Sequence, residues 1–400
     1  MSRGRPWQGR SAPAHALVHT LGPRTQPGSS SGQRNVQVVL WRALSALEDK
    51  ESETRQIEGT RRRAHVTIES GSITKRVALW GAGGFIGRAV LQAAEAAGIE
   101  IVRPPKLPLD PWNPGQPVEA ALKAWLERHP TEWDEALQLC SGAGVVINAA
   151  GLAEPEGSKV NKLMAANVLL PAVVAAAAAE AGVPRLVHVS TAAVQGNRDP
   201  LDETAAVQPV TPYASSKAEA ERLLLNREIK VPFEVVIYRP TSVQGEGRDI
   251  TRALVRIASR RVVPMPGPGA VHLPVSLAGN VGAGIVHAAL MAPPCPPILL
   301  QPWEGMTTRL LLEAFGNGGH IVSIPKPAVR IVHFLAVQHA AALAGRSPKR
   351  QAKLRRFELL AYGQAVQARE LESRGFRTHG GPEEYRNLAG MVRAGGSFSR

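Results

Sequence analysis

Cysteine is almost absent. Cys140 and Cys295 are the only two in 400 residues, and neither has a second Cys or a His at ligand spacing, which excludes a disulfide framework and a thiolate zinc site. The eleven histidines are scattered without an HExxH pair, so no structural metal is expected. No apolar run is long enough to span a bilayer: the longest, Val168 to Ala179, stops at Glu180 and is mostly alanine, which fits a buried helix. The N-terminal residues hold no apolar h-region, so no signal peptide and a cytoplasmic location are expected.

Charge of one sign is unevenly spread. The net charge of +14 invites a nucleic-acid reading, but residues 1 to 65 hold 11 basic against 5 acidic side chains and residues 326 to 400 hold 14 against 5. The middle of the chain is therefore close to neutral. A specific nucleic-acid groove through the centre is not expected, although the basic ends are free to touch nucleic acid or anionic lipid non-specifically.

With 44% hydrophobic residues the chain can bury a large core, and its length suits one α/β domain with a smaller satellite. Residues 1 to 65, rich in Arg, Gly, Ser, Pro and Gln with one possible helix (Val36 to Leu47), read as a disordered basic extension, dispensable for the rest. Residues 66 to 245 are then a nucleotide-binding domain, and residues 246 to 400 a substrate-binding lobe with segments that partly return to the first.

The centre of that organisation is residues 77 to 87, Val-Ala-Leu-Trp-Gly-Ala-Gly-Gly-Phe-Ile-Gly. Four apolar residues read as a buried parallel strand, the glycines as a tight turn, and residues 88 to 97 as a helix ended by Gly98. Gly81 and Gly84 let the backbone come close to a pyrophosphate, Gly87 lets the helix pack, and the helix N-terminus offers unpaired N–H groups. The spacing is GxxGxxG rather than GxGxxG, so alone it is a weak signal. A second strand follows at residues 99 to 103. An acid at its end suits the ribose hydroxyl of NAD and an Arg the 2′-phosphate of NADP; Arg103 stands there and Arg88 just past the turn, which favours NADP, with Glu100 the alternative that keeps NAD open.

Residues 104 to 117 are Pro-rich and irregular, and helices are expected near 118 to 129 and 132 to 139. Gly144 to Gly151 reads as a strand ending in Asn148-Ala149-Ala150-Gly151, small residues that leave room for a cofactor. A helix from about Lys159 to Ala181 carries Asn167. Residues 185 to 196 form a strand ending in the hydroxyls of Ser190 and Thr191. Thr211 then caps a helix with Pro212 at its first position. On it Tyr213 and Lys217 share one face, where an ammonium can depress the pKa of a phenol.

In this order, Gly81/Gly84/Gly87, Asn148-Ala-Ala-Gly151, Asn167, Ser190-Thr191-Ala192, Tyr213-x-x-x-Lys217 and Tyr238-Arg239-Pro240, the motifs resemble those of extended short-chain dehydrogenases/reductases. Over residues 74 to 390 the chain resembles the NAD(P)-dependent epimerase/dehydratase family. The resemblance implies a Rossmann-type doubly wound parallel sheet with a small C-terminal lobe, and an oxidoreductase or epimerase acting on a carbinol or carbonyl carbon of a nucleotide sugar or related small molecule. It implies Tyr213 as general acid/base, Lys217 on the nicotinamide ribose and lowering the Tyr213 pKa, and Thr191 on the reacting oxygen. Gly81, Gly84, Phe85 and Ile86 would wrap the pyrophosphate. The backbone after Arg239-Pro240 would pass the nicotinamide.

Departures from the pattern narrow the chemistry. Ala192-Ala193 stand where dehydratases have Asp-Glu, which disfavours water elimination, and Gln195 and Gln244 stand where many relatives have Tyr. These two replacements leave open a carbonyl reductase of a non-sugar substrate, and a non-catalytic NADP-binding protein is the rival from another class. Arg248, Arg252 and Arg256 recur every fourth residue on a probable helix and could meet a substrate diphosphate or simply be solvated. Helices are expected at 307 to 315 and 329 to 343 and a strand at 321 to 325; the apolar residues of the 329 to 343 helix fit core or subunit contact in a homodimer better than membrane binding.

Overall fold

The computed structural model describes residues 76–110, 112, 115–153, 160–226, 233–342 and 348–395. The N-terminal extension and its possible helix lie outside these residues, as does Lys159.

The strands are near-continuous apolar runs because helices cover both faces of the sheet. β1 (Arg76–Trp80) leads through the glycine turn to α1 (Phe85–Ala96) and β2 (Glu100–Val102). After the Pro-rich stretch come α2 (Val118–Arg128), α3 (Pro130–Cys140) and β3 (Val145–Asn148). The long helix α4 (Val160–Glu180) contains a π turn at Ala165–Leu169. β4 (Arg185–Val189), α5 (Pro212–Leu224) and β5 (Glu234–Arg239) complete the series.

These strands and β9 (Ile298–Leu300) form one all-parallel sheet in the order β2-β1-β3-β4-β5-β9. Alternation along each strand sorts side chains between two cores. Ala78, Trp80, Val146, Leu186 and Ile237 face α2, α3 and α4, whereas Val77, Leu79, Val145, Ile147, Val187 and Tyr238 face α1 and α7 (Ala278–Leu290). The sheet is a doubly wound, Rossmann-type α/β architecture. α4 is long and apolar enough to cross a membrane, yet 72% of its apolar window is buried inside the fold.

The chain then leaves the sheet. β6 (Ser242–Gln244) pairs in parallel with β8 (Val275–Leu277), and α6 (Asp249–Ala258) and β7 (Val262–Pro266) lie between them in sequence. α7 (Ala278–Leu290) packs back on α1, and β9 (Ile298–Leu300) joins the edge of the main sheet beside β5. α8 (Thr308–Phe315), β10 (His320–Ile324, paired with β7), α9 (Lys326–Ala342), α10 (Pro348–Tyr362), α11 (Glu370–Ser373) and α12 (Gly381–Gly395) follow. Leu254, Val263, Met265, Leu311, Phe315, Tyr385 and Leu388 form the separate core of this lobe.

Of the two roles expected for the apolar residues of α9, core and subunit contact, its described side chains do not fill the first: Val329 is buried, but Ile331, Val332, Phe334 and Leu335 are exposed. The inward positions go instead to Val329 and to His333, which meets Glu358 of α10.

The α1/α7 crossing is close because of one glycine. A Cβ at Gly282 would lie 2.3 Å from the Ala89 carbonyl oxygen, backbone that cannot swing aside. Gly282→Ala is therefore expected to lower stability by about 1–3 kcal/mol through overpacking, outweighing a helix-propensity gain of about 1 kcal/mol. Gly279→Ala on the same helix, where an added Cβ meets nothing, should leave the protein as stable or slightly more so. Urea midpoints of the two variants measure the contrast.

Candidate active site

β1 connects towards β2 on one side of the sheet and β3 towards β4 on the other. The crevice above their carboxyl ends is thus the switch point where such sheets take ligands. The two turns that leave these strands touch: Gly81, at φ +81°, is so close to the next turn that a Cβ there would be 2.5 Å from the Ala150 nitrogen. Gly84 N–H donates to the Gly81 carbonyl (2.8 Å) and Gly84 caps α1 without any side-chain bond. The first N–H groups of α1 are therefore not satisfied by a capping side chain. Gly83 is exposed, with open space where its Cβ would be, and Gly87 is the packing glycine, 2.0 Å from the Gly81 oxygen if it carried a Cβ.

Arg88 is exposed on the rim, its guanidinium donating to the Gly83 carbonyl (2.7 Å), and Arg103 is exposed directly after β2. Phe85 is half-buried against Gly245, and the Arg248 guanidinium lies 5.0 Å from the centre of its ring. Ile86 packs with the α1/α7 core.

On the other side of the crevice, the Asn148 side chain accepts from Ala150 N–H (3.1 Å) and contacts His188 Nδ1 (3.3 Å), which shapes the turn through Ala149 and Ala150. Because Asn148 donates there through its amide, Nδ1 of His188 is the acceptor. Complete burial, and then the Lys217 charge, push the His188 pKa well below its usual value, so this imidazole is neutral. Asn167 sits in the π turn of α4. Its amide accepts from Leu152 N–H (2.8 Å) and donates to the Leu152 carbonyl (3.0 Å) and Ser216 Oγ (3.0 Å), tying the turn after β3 to α5. Gly151, between them, leaves room that a Cβ would fill: it would stand 2.7 Å from Asn167 Oδ1 and 3.2 Å from Lys217 Nζ.

Thr211 Oγ1 accepts from Ala214 N–H (3.1 Å), which starts α5 and sets the phase of Tyr213, Lys217 and Glu221 along one face. Burial raises the Tyr213 pKa, while the Arg248 guanidinium and Thr191 oppose the rise. The four-residue spacing points to Lys217 as the cation beside the phenol; the cation that opposes this rise is Arg248. Lys217 Nζ turns inward instead and donates to the Val189 carbonyl (2.9 Å). Burial lowers its pKa to about 8, against the pull of Glu221.

Glu221, not foreseen as a site residue, organises the floor. It receives Arg239 through Nε (3.0 Å) and Nη2 (2.6 Å), and Ser190 Oγ (2.5 Å). Arg239 is 0% exposed, so its side chain braces the site from beneath rather than reaching a cofactor. Pro240 is buried and its carbonyl accepts from Ala192 N–H (2.9 Å). The two glutamines are clamps: Gln195 holds Asp202 (2.8 Å), and Gln244 accepts from Thr251 (3.0 Å). Of the arginine stripe on α6, Arg248 reaches the site, whereas Arg252 pairs with Asp249 and Arg256 is exposed. Among the described residues no cluster of His, Cys, Asp or Glu could hold a metal.

An open glycine cradle, small residues after β3 and a buried lysine beside Gly151 fit a dinucleotide, whose phosphates need close backbone and unpaired N–H groups.

Residues 77–291 match the model of the NAD dependent epimerase/dehydratase family. A 4-hydroxy-2-methyl-3-oxo-4-farnesyl-3,4-dihydroquinoline-1-oxide ketoreductase of Stigmatella aurantiaca is 29% identical over 270 residues, 64% of this chain and 78% of the relative. The structure resembles UDP-glucuronic acid 4-epimerase from Bacillus cereus in complex with NAD (TM-score 0.53, 14% identity, 80% and 99% of the two chains). It also resembles RMD from Pseudomonas aeruginosa complexed with NADPH (TM-score 0.52, 16% identity, 80% and 100%). At these identities the two structural likenesses speak to the fold alone.

The Lys217 pKa gives a stability signature. Between about pH 8 and the ordinary lysine value the unfolded chain keeps a proton that the native state has shed, so this group raises stability as pH rises through that window. Urea midpoints of wild type relative to Lys217→Met should therefore climb from about pH 7 to about pH 10. A pH-independent difference would show that the ammonium is not desolvated.

Proposed function

Because the chain belongs to the NAD dependent epimerase/dehydratase family, we propose that it performs NAD(P)-dependent redox chemistry at a carbinol or carbonyl carbon of a small molecule. The observation that carries this reading is the Tyr213 phenol with Thr191 and the Arg248 guanidinium acting on it, and Lys217 buried one helical turn further on with its Nζ on the Val189 carbonyl. Bound nicotinamide would supply hydride acceptance or donation. Tyr213 takes or returns the hydroxyl proton at its phenol oxygen, and Thr191 holds the reacting oxygen in line. Arg248 favours the phenolate, opposing the rise that burial imposes on the Tyr213 phenol. Lys217, Asn167 and Gly151 form the ribose side of the cradle, and Gly81, Gly84 and the N-terminus of α1 the pyrophosphate side.

NADP is the favoured cofactor, because Arg103 directly follows β2 and is exposed, and an Arg at that point of a dinucleotide fold suits a 2′-phosphate where an acid suits the ribose hydroxyl. The reaction is read as epimerisation or reduction rather than dehydration, since Ala192 and Ala193 supply no acid or base. The similarity to a ketoreductase over most of that relative's length favours a reductase acting on a non-sugar carbonyl; a nucleotide-sugar epimerase is the second reading, supported by the family match.

The first test is mass spectrometry of the cofactor released from purified protein, paired with NADPH and NADH titration. Preferential NADPH binding by an empty protein supports the reductase, whereas stoichiometric retained NAD overturns the reading of Arg103. Tyr213→Phe should lower kcat by about 10²–10⁴-fold with cofactor affinity unchanged; an unaffected rate would remove Tyr213 from the mechanism. In the oxidative direction, Arg248→Met should move the ascending limb of the kcat/KM profile to higher pH, because the phenolate loses its neighbouring cation.

A further inference from the structure

Among its described side chains, α9 puts large apolar residues outward and a polar one inward. The inward ones are Val329 and the polar His333, whose Nε2 lies 3.1 Å from Glu358 Oε1 and whose ring meets that of Tyr362 at 5.4 Å. Its outward residues are large and apolar: Ile331 is 60% exposed, Val332 55%, Phe334 60% and Leu335 59%. Ile331, Phe334 and Leu335 fall at i, i+3 and i+4, one continuous stripe. Val322 of β10 (49% exposed) and Val262 of β7 (55%) are further exposed apolar residues of this lobe. Contiguous exposed apolar surface of this kind marks an interaction site.

The charge around the stripe says what covers it. Residues 326 to 357 contain eight Lys and Arg and no Asp or Glu, and of these Arg355 is taken up by Glu358 and the Gly196 carbonyl. Lys326 and Arg330, exposed at the start of α9, and Lys353, exposed on α10, belong to this set. We propose that α9 and α10 dock the protein on an anionic lipid surface, with Ile331, Val332, Phe334 and Leu335 entering the headgroup–acyl boundary and the basic side chains meeting lipid phosphates. An apolar stripe bordered by Lys and Arg is the pattern of a helix that lies in the interface plane. α9 has 17 residues, short of the roughly 20 needed to span, so it lies on the bilayer rather than through it. A second copy fits less well, because a two-fold contact sets the same patch against itself and would bring two unbalanced cationic segments together. A nucleic acid would answer the charge and leave the apolar stripe in water.

The test uses the full-length protein and vesicles of phosphatidylcholine alone or with one-third phosphatidylglycerol, scored by co-sedimentation. Binding to the anionic vesicles at least about tenfold tighter than to the neutral ones, weakened by added salt, is expected. The double variant Phe334→Asp/Leu335→Asp should lose at least about tenfold in partitioning with Tm and far-ultraviolet circular dichroism unchanged, both residues being in solvent. Absence of vesicle binding, equal binding to neutral vesicles, or undiminished binding by the double variant overturns the proposal. So does a wild-type dimer that the double variant converts to monomer without any effect on lipid binding.

Discussion

Glu221 is 2% exposed and Arg239 0%, and charges withdrawn from water to that degree must be answered inside the protein. The guanidinium meets the carboxylate in a fork, Ser190 donates a third bond, and Thr204 takes the remaining guanidinium edge through its carbonyl (2.7 Å). Each partner comes from a different element: Ser190 from the end of β4, Arg239 from the end of β5, Glu221 from the middle of α5. An exposed ion pair is worth about 0–1 kcal/mol, but removing one partner of a buried pair costs about 3–5 kcal/mol. The spacing between Thr191, one residue beyond Ser190, and Tyr213, two turns before Glu221, is thereby tied to a contact the fold cannot easily lose.

A second brace acts on the rim. The loop after Gln195 is held by residues more than 150 positions later: Gln364 Nε2 donates to the Gly196 carbonyl (3.0 Å), Asp199 accepts from Ala365 N–H (2.8 Å), and Glu203 accepts from Arg369 N–H (3.0 Å). The segment that closes the lobe therefore also positions the loop joining Thr191 to Tyr213. Burial raises the Glu203 pKa although three backbone N–H groups oppose the rise. Fold closure and site geometry share these bonds.

Much of this was legible in the residues themselves. The buried strands, the glycine turn and the Thr211-Pro212 helix start are local signals, set by side-chain type and spacing, and the structure carries them within a few residues. Tyr213, Lys217 and Glu221 were equally visible as one helical stripe, although only the first two drew attention. What was not legible depends on distant chain. The inward turn of Lys217 needs the Val189 carbonyl, the approach of Arg248 to Phe85 needs the course of the chain after β6, and the outward apolar face of α9 follows from His333 finding Glu358. Periodicity shows that α9 has a face; tertiary contacts decide which way it points.

The π turn at Ala165–Leu169 has a geometric result for α4. An extra residue in one turn rotates everything beyond it by roughly 100° relative to everything before it. No single helical wheel describes Val160–Glu180. Residues ahead of Asn167 pack on α5, and those after it pack on α5 and also on α2, α3 and the strands β3 and β4. The helix is in effect two helices of different phase sharing one axis, with Asn167 at the seam.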